Sequence, residues 1–547
     1  MPFQAQIEEI EIPITILNWV LALLPIIVLL VLLAVLRWRA PEAGPIGMFT
    51  AAIIALLAFR TPFETLAIAG AKGVWEAIFI LYVVWPALLL YRVTERAGAF
   101  DALRHGIQQF SRNDLFLVLA FGWVFASFLQ GIAGFGTPIA VVAPLLLVLG
   151  VKPVYAVAIP LIGHAWANMF GTLAVGWLAT LAVVDLQDPT TTAFQTAILL
   201  WILNIMGGLA IAWLFGRWAA IRHAWPMILI ITIVHGGGQL VLTLWDPVLS
   251  NFFAATAALA VVYPLSRWDR YAEESDIEEQ HVMEDRSERD AGKEQEGEPI
   301  MGLGMAILPY IVLTLASILG LVISPIEEFL SQFEVGLPFP AATTGFNVQI
   351  EAEDPYSPFA PLTHPGTFLL ISALAGWLVY RAKGYYQKWA ERTEEKGSIG
   401  AALVEDAVPS SVAIVAFLAM SIIMDHSGQT TVLAAGIAAV APPAVYAFFA
   451  NWIGVLGAFM TSSNTASNVL FAPLQQTVSD IEGIPEAAII GAQSAGGANG
   501  NAIAPANVVL GTGSAGVIGQ EGEVLRKTLV WSAMVAVLVG IGTILLI

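Results

Sequence analysis

Cysteine is absent from this 547-residue sequence, and charged residues make up only 12% of it. The lack of cysteine excludes disulfide bonds, thiolate nucleophiles and cysteine-ligated metal sites. The scarcity of charge excludes an ordinary water-soluble protein, because 58% of the residues are hydrophobic and a soluble chain of this length needs more charge on its surface. The composition therefore predicts a polytopic membrane protein embedded in a lipid bilayer.

The sequence motifs of common enzyme classes are also missing. No HExxH, Walker, GxSxG or paired-carboxylate pattern occurs along the chain. The segment 511–516 matches GxGxxG, but no β–α–β context surrounds it and no acidic ribose partner follows at the right spacing. We therefore expect a protein that is not an enzyme and that has no cofactor, metal site or nucleic-acid partner. A membrane-embedded sensor or enzyme is the disfavoured alternative from another class.

Long runs of low charge recur along the chain. They predict an all-α fold of about 12–14 transmembrane helices, since a helix of ~20 apolar residues spans a bilayer. Some runs, such as 139–150 and 466–478, are too short to cross and are typical of half-helices and re-entrant hairpins. Irregular backbone of this kind occurs at membrane depth only where it is buried in protein or lines a cavity.

An acidic segment divides the chain. Residues 271–299 are dense in Glu and Asp, and such a block of like charge is typical of a solvated linker. We expect a first transmembrane half at 1–264, a cytoplasmic linker at 265–300 and a second transmembrane half at 301–547. Acidic loops with few lysines also resemble those of salt-adapted haloarchaeal proteins.

Basic residues indicate the orientation in the membrane. The segments 184–192, 245–247 and 324–364 contain no Lys or Arg, whereas the other loops are rich in Arg. The positive-inside bias places these three segments outside and predicts a plasma-membrane protein with both termini extracellular. Arg60 and Lys72, which fall on the predicted outer side, run against this bias.

Two interruptions of the hydrophobic pattern correspond to each other. One lies near 131–138 and the other near 461–468, and superposing Ala143 on Ala472 sets Gly134 against Ser463. Paired interruptions in two halves indicate the binding site of a secondary transporter between two repeats, which we expect to be inverted. The same residues could instead be small residues for close helix packing.

A second pair of polar tracts supports a binding site. The tract 493–505 is too irregular for a lipid-facing helix, and 163–171 is its counterpart in the first half. Free amides at half-helix starts and small polar side chains can hold an anion without a full charge. The predicted substrate-binding residues are Gly134, Phe135, Gly136, Thr137, His164, Asn168, Ser463, Asn464, Thr465, Asn468, Asn499 and Asn501.

Ionisable residues inside apolar runs are candidates for ion coupling, because they are costly to place in a membrane. The adjacent pair Asp425 and His426 is the best candidate, since an imidazole titrates near neutral pH. A proton or a sodium ion could be the coupling ion.

Several of these segments resemble the L-lactate permease family. The resemblance lies in Phe128–Ala140, with its Ala-Gly-Phe-Gly, in Leu456–Ala472, with its Thr-Ser-Ser-Asn-Thr-Ala-Ser-Asn, and in 496–505 and 517–521. It implies uptake of a small monocarboxylate, lactate or glycolate, by a member of the wider ion-transporter superfamily. In that superfamily, paired hairpins with a Ser-Asn-Thr motif bind carboxylate and, in some members, sodium.

Three positions depart from the pattern of the family. Its permeases usually carry Glu where Gln130 stands, Asp where Asn464 stands and Lys where Asn501 stands. The resemblance therefore carries over the backbone of the pocket but not its charged coupling groups, with Gln130 kept as a candidate at the coupling position. A cation/proton antiporter or a transporter of another small anion stays open as the alternative within the superfamily.

Overall fold

The computed structural model describes residues 13–36, 38–108, 111–132, 134, 136–275, 277, 280–284, 298–321, 323–344, 346, 349–393, 398–517 and 520–547. Nearly all regular structure in these residues is α-helical, as predicted. Side chains of Leu, Ile, Val and Phe remain exposed along the outward faces of many helices, which is the pattern of a surface that faces lipid.

Within the described residues, the first half contains thirteen helices and the second half twelve. In chain order, those of the first half are α1 (Ile16–Leu30), α2 (Ala40–Leu57), α3 (Phe63–Glu95), α4 (Ala99–Gln108), α5 (Asp114–Leu119), α6 (Ala126–Ile132), α7 (Thr137–Val148), α8 (Pro153–His164), α9 (Gly171–Leu181), α10 (Pro189–Ile231), α11 (Gly238–Thr243), α12 (Pro247–Ser266) and α13 (Asp269–Ala272). Short π-helical turns follow α1, α5 and α10, at Val31–Val35, Ala120–Phe125 and Thr232–Gly237.

The second half adds twelve helices and two small antiparallel β-ladders. The helices are α14 (Leu303–Ala306), α15 (Leu308–Leu321), α16 (Ser324–Ser331), α17 (Pro365–Ala382), α18 (Tyr385–Thr393), α19 (Ile399–His426), α20 (Gln429–Ala438), α21 (Pro443–Thr461), α22 (Asn464–Glu482), α23 (Glu486–Asn501), α24 (Pro505–Ser514) and α25 (Glu521–Leu546). The strands are β1 (Val335–Phe339), β2 (Ala342–Thr343), β3 (Gln349–Ile350) and β4 (Glu353–Phe359), with β1 paired to β4 and β2 to β3.

Nine helices of the described residues are long and apolar enough to cross a bilayer, or up to eleven if two sharply bent helix pairs each count as one span. The run Pro189–Thr243 is 55 residues long and kinks at Gly216 and Arg217, so it can supply two crossings of ~20 residues each. The total number of crossings then reaches the lower end of the expected range of about 12–14. The protein is thus a multi-pass membrane protein.

The first interruption lies at the tip of a re-entrant hairpin, which we call hairpin 1 (α5 to α7, 114–148). Both of its ends meet the same segment at one end of the bundle: Arg112 N donates to Ala272 O, and Glu284 N donates to Gly150 O. The chain therefore enters the bundle, turns between α6 and α7 and returns to the end from which it came.

The second interruption belongs to hairpin 2 (α21 and α22, 443–482), which enters from the opposite end. Its two helices run side by side, because the Tyr446 hydroxyl contacts Gln475 Oε1. The end of α22 meets the loop before α10, where Gln476 Nε2 donates to Asp185 O. Helices α8 and α9 connect this loop back to the end that holds Gly150. The two hairpins thus enter the bundle from opposite ends, which is the arrangement expected of inverted halves.

Part of the acidic segment is buried. Tyr271, Val282 and Met283 are buried, and Lys152 N donates to Val282 O. These residues of the acidic segment are therefore packed against the bundle end, where they cover the ends of hairpin 1, and the linker stays a prediction. Residues 285–297 lie outside the described residues.

Lys72, whose charge ran against the predicted orientation, is not a loop residue. It lies within α3, only 1% exposed, and its Nζ is 2.8 Å from Glu353 Oε1 on β4. A buried and paired lysine carries no information about membrane orientation, so it does not weigh against the assignment of the β-strands to the outer side.

Close helix packing leads to a stability prediction. A Cβ at Gly496 in α23 would overlap the carbonyl of Asn451 in α21. Gly496→Ala should therefore lower the melting temperature in detergent, with a loss of about 1–3 kcal/mol from overpacking. The control is Gly400→Ala in α19, where no atom lies within 4 Å of the added carbon. Equal melting temperatures for the two variants would contradict this packing.

Candidate functional site: an uncharged cavity between four chain breaks

The tip of hairpin 1 is held by a threonine from the next broken span. Gly136 adopts φ +86°, a conformation that favours glycine, and it precedes the first turn of α7. Gly134 N donates to Thr172 Oγ1 at 2.7 Å, and Thr172 Oγ1 donates to Gln130 O at 3.3 Å. One hydroxyl therefore satisfies backbone groups on both sides of the break.

The start of α9 is strained. Thr172, Leu173 and Ala174 have φ values of 52°, 49° and 59°, in the left-handed region that residues other than glycine rarely occupy. The bend between α8 and α9 is 56°. This unusual run directs the Thr172 hydroxyl at the tip of hairpin 1, and strain of this kind is characteristic of functional sites.

The tip of hairpin 2 is the N-terminus of α22, which begins inside the protein. Ser462 has φ 57°, and Ser463 caps α22 by accepting a hydrogen bond from Ala466 N at 3.2 Å. The first turn of a helix leaves amides without intrahelical partners and carries a partial positive charge. The amides of Asn464 and Thr465 are thus available to an anion.

A chain of buried amides fixes hairpin 2 against α23. Gln475 Nε2 donates to Ala450 O at 2.9 Å and to Gln493 Oε1 at 3.0 Å. Gln493 Nε2 in turn donates to Ser467 Oγ at 3.1 Å, and Ser467 Oγ donates to Gly454 O at 2.9 Å. These hydrogen bonds satisfy buried polar groups and hold the tip in one position.

The tips of the two hairpins meet two broken spans, α8–α9 and α23–α24, around one cavity of about 260 Å³. Its polar lining comes from both hairpins and both broken spans, and part of α19 closes one side with Ala413, Ile414 and Phe417. None of the described lining residues is Asp, Glu, Lys or Arg. The polar groups that line it are Gln130, Gly134, Gly136, His164, Asn168, Thr172, Ser410, Thr461, Ser462, Ser463, Asn464, Thr465, Asn501 and Asn507.

Most of the predicted substrate-binding residues line this cavity. They are Gly134, Gly136, His164, Asn168, Ser463, Asn464, Thr465 and Asn501, together with Gln130 from the predicted coupling group. His164 Nδ1 contacts Pro160 O, and Asn168 Nδ2 donates to Ala165 O at 2.8 Å.

Other predicted residues lie elsewhere. Thr137 is buried at the start of α7 but is not part of the described lining, and Asn468 lies one turn behind the tip, where its amide contacts Met169 Sδ at 3.2 Å. The structure does not bring Asn499 to the cavity, because its side chain points to α25 and donates to Ser532 O at 2.9 Å. Phe135 lies outside the described residues.

Sequence reasoning missed Thr172 and Asn507 among the polar groups of the lining. Thr172 directly follows the polar tract 163–171, and Asn507 lies two residues beyond the Pro505 that starts α24. Asn507 Nδ2 contacts Asn501, and Ser462 Oγ accepts from Ala506 N at 3.3 Å. The signal that could have identified these residues is their position next to a chain break. A polar side chain there can satisfy backbone groups that have lost their helical partners.

The predicted coupling pair lies at a different place. Asp425 and His426 end α19 and face a pocket of about 480 Å³, which we call the outer vestibule because it lies on the side that the charge bias predicts to be outside. This vestibule is also lined by the loop before α10 (181–189), by Glu353, Tyr356 and Ser357 of β4, and by Ser421, Ile422 and Pro473. His426 Nδ1 is 3.4 Å from Asp425 Oδ2, and the Asp425 side chain is 56% exposed. The pair therefore does not touch the cavity.

A cavity that the tips of two hairpins reach from opposite ends of the bundle defines a polytopic membrane transport protein. The sequence model of the L-lactate permease family matches residues 18–547, and the chain belongs to this family. The resemblance in the interrupted segments is thus confirmed over the whole length of both halves.

Individual relatives are similar along nearly their full length. The chain is 27% identical to the glycolate permease GlcA of Escherichia coli K12, covering 97% of this chain and 95% of the relative. It is 27% identical to an L-lactate permease of Halalkalibacterium halodurans, with 96% of each chain covered. It is 26% identical to the L-lactate permease of Escherichia coli K12, over 97% and 96% of the two chains. Among solved structures, the YdaH transporter of Alcanivorax borkumensis is similar with a TM-score of 0.40 and 16% identity over 85% of both chains.

The bridge between hairpin 1 and α9 can be tested directly. Thr172→Val keeps the shape of the side chain but leaves the buried Gly134 N–H without its acceptor, at a cost of about 1–3 kcal/mol. We expect weaker substrate binding, measured as loss of ligand-induced thermal stabilisation. The matched control is Thr180→Val in the same helix, because Thr180 donates only to Gly176 O within α9. Retention of full binding by Thr172→Val would show that the tip does not need this bridge.

Proposed function

We propose that the protein carries a short 2-hydroxy monocarboxylate, L-lactate or glycolate, across the plasma membrane by alternating access. The observation that carries this proposal is the uncharged polar cavity at the meeting point of the two hairpin tips. Membership of the L-lactate permease family and the names of the relatives support the choice of substrate.

The substrate carboxylate is held at the start of α22. Its oxygens accept hydrogen bonds from the amides of Asn464 and Thr465 and from nearby hydroxyls and side-chain amides, since neutral donors at a helix N-terminus suit an anion. The described lining has no Lys or Arg. The anion is therefore bound without an ion pair, which keeps binding weak enough for release on the other side.

The remainder of the substrate is small and amphipathic. Asn168, Asn501 and His164 offer donors and acceptors for its 2-hydroxyl group, and Val175, Ile139 and Phe417 offer apolar contact for its carbon atoms. A cavity of about 260 Å³ suits a molecule of this size better than a dicarboxylate or a longer chain.

The cavity and the outer vestibule mark the two ends of a transport path. The rim of the cavity includes Pro41 and Ser410, near the bundle end that holds the Arg-rich loops. The vestibule lies at the other end, further along the same helices α9, α19 and α22. We propose that this conformation is open to the inside and that the path between Phe417 and Ile422 opens in the other state.

The function is tested by uptake of labelled L-lactate and glycolate into proteoliposomes. We expect accumulation driven by an imposed gradient and counterflow without one, with separate arms for a proton gradient, a sodium gradient and no gradient. Acetate and succinate serve as controls for the hydroxyl and for the single carboxylate. The absence of both counterflow and driven uptake for short monocarboxylates would refute the proposal.

The coupling ion enters at the outer vestibule. Asp425 and His426 are the predicted coupling pair, and their position at the end of α19 gives them access to the vestibule and continuity with the cavity wall formed by Phe417. Gln130 lies in the cavity and is uncharged, so it can offer its amide oxygen to a sodium ion but cannot carry a proton.

Replacing the carboxylate of the pair separates coupling from substrate binding. Asp425→Asn should abolish gradient-driven uptake while exchange of labelled for unlabelled lactate continues, because the substituted residue is remote from the cavity. Uptake and exchange are measured in the same vesicles. Undiminished driven uptake in Asp425→Asn would remove the pair from the coupling path.

A further inference from the structure

Helix α3 carries two deeply buried ionisable side chains that are not part of the cavity. Lys72 and Glu76 are one helical turn apart and are 1% and 2% exposed. Ionisable groups within a membrane-spanning helix are costly and for that reason are functional candidates. Both side chains face the β1–β4 ladder at the end of the bundle where the outer vestibule lies.

The charge of Lys72 is already neutralised by the ladder. Its Nζ is 2.8 Å from Glu353 Oε1, and it lies 4.5 Å from the ring centre of Tyr356 and 6.0 Å from that of Phe339. The Glu353 side chain is 45% exposed, so one partner of this ion pair is in contact with solvent. The pair fastens β4 onto α3.

Glu76 has no such partner. Tyr356 and Ser357 lie against its carboxyl group, and its Oε1 has no hydrogen-bond partner among the described residues. A buried carboxylate is costly without a cation nearby. The neighbouring Lys72 is already paired with Glu353, and the negative charge of Glu353 repels a second carboxylate. The charged form of Glu76 is therefore disfavoured in this conformation.

The other titratable groups around Glu76 leave it as the group that changes charge. Burial, together with the Glu76 and Glu353 carboxyls, raises the pKa of Tyr356 well above its ordinary value, so its hydroxyl stays neutral. Burial lowers the pKa of His364, which packs edge-on against Phe79 with ring centres 4.7 Å apart, to about 4. Asp425 and His426 face the same vestibule from α19.

We propose that Glu76 carries the coupling proton, which enters at the vestibule past Asp425 and His426, and that its protonation decides which carboxylate Lys72 holds. This inference rests on the proposed transport function. When Glu76 releases its proton to water in the vestibule, its carboxylate lies one turn from Lys72 and competes with Glu353 for the ammonium group. The contact of β4 with α3 is then weakened. When Glu76 takes up a proton again, the Lys72–Glu353 ion pair is restored. The O–H bond of Glu76 is the one covalent bond that changes in this step.

The change can reach the cavity through α19. Gly73, beside Lys72, lies so close to Ala419 that a Cβ at Gly73 would overlap the backbone of Ala419. Phe417, two residues before Ala419, lines the cavity. A shift of α3 against β4 thus acts directly on the helix that connects the cavity with the vestibule.

The test uses Glu76→Gln, which mimics the protonated side chain permanently. We expect lactate counterflow to persist, lactate accumulation driven by a proton gradient to fall at least tenfold, and the pH dependence of counterflow to flatten. Glu76→Asp should retain part of the driven uptake, and Glu64→Gln, an exposed carboxylate on the same helix, should behave like the unmodified protein. A merely structural role for Glu76 would lower the melting temperature without flattening the pH profile.

The outcomes separate this inference from the function itself. If the unmodified protein shows neither counterflow nor driven uptake of monocarboxylates, the proposed function fails. If it transports lactate and Glu76→Gln keeps proton-driven accumulation with an unchanged pH profile, the role of Glu76 is overturned while the function stands. Transport driven by sodium alone in the unmodified protein would also overturn it. Glu353→Gln provides a second readout, since loss of the Lys72 partner should make the β-strands more susceptible to protease at any pH.

Discussion

Backbone amides and carbonyls that are freed at membrane depth need partners inside the protein, and this constraint organises the whole molecule. Each chain break supplies a partner for another: Thr172 of one broken span serves Gly134 of hairpin 1, and Ser462 of hairpin 2 accepts from Ala506 of the other broken span. Because the breaks satisfy one another, they must lie together. The result is a cavity between the breaks, lined with polar groups that keep some unused hydrogen-bonding capacity.

The structure separates the uncharged cavity from the ionisable groups. The described lining of the cavity offers neutral donors and acceptors, and the ionisable groups discussed above lie outside it, on α3, on β4 and at the end of α19. In the proposed function, uncharged Gln130, Asn464 and Asn501 make the cavity less costly to bury, and the coupling belongs to groups near the outer vestibule. Helix α19 connects the two regions, since it contributes residues to both.

The sequence predicted the positions of the breaks and most of the lining, because glycine and small polar residues in apolar runs are visible without a structure. It did not predict Thr172, whose role depends on a left-handed backbone that no residue type in the run favours. Asn499 and Asn501 look alike in sequence, yet a helix directs one to α25 and the other to the cavity. Nor did it predict that Tyr271, Val282 and Met283 pack against the bundle, because a few apolar residues among many charges suffice to pack against a protein surface.

Composition and hydrophobic pattern by themselves determined the membrane location, the helical class, the two halves and the paired interruptions, since these follow from the length and polarity of local segments. Only the tertiary structure decided which polar groups meet, because contacts between residues some 300 positions apart depend on how the hairpins enter the bundle. Lys72 and Glu76 show the difference most clearly. In the sequence they are two charges in an apolar run, and only the contact with Glu353 and Tyr356 assigns one of them a fixed partner and leaves the other without one.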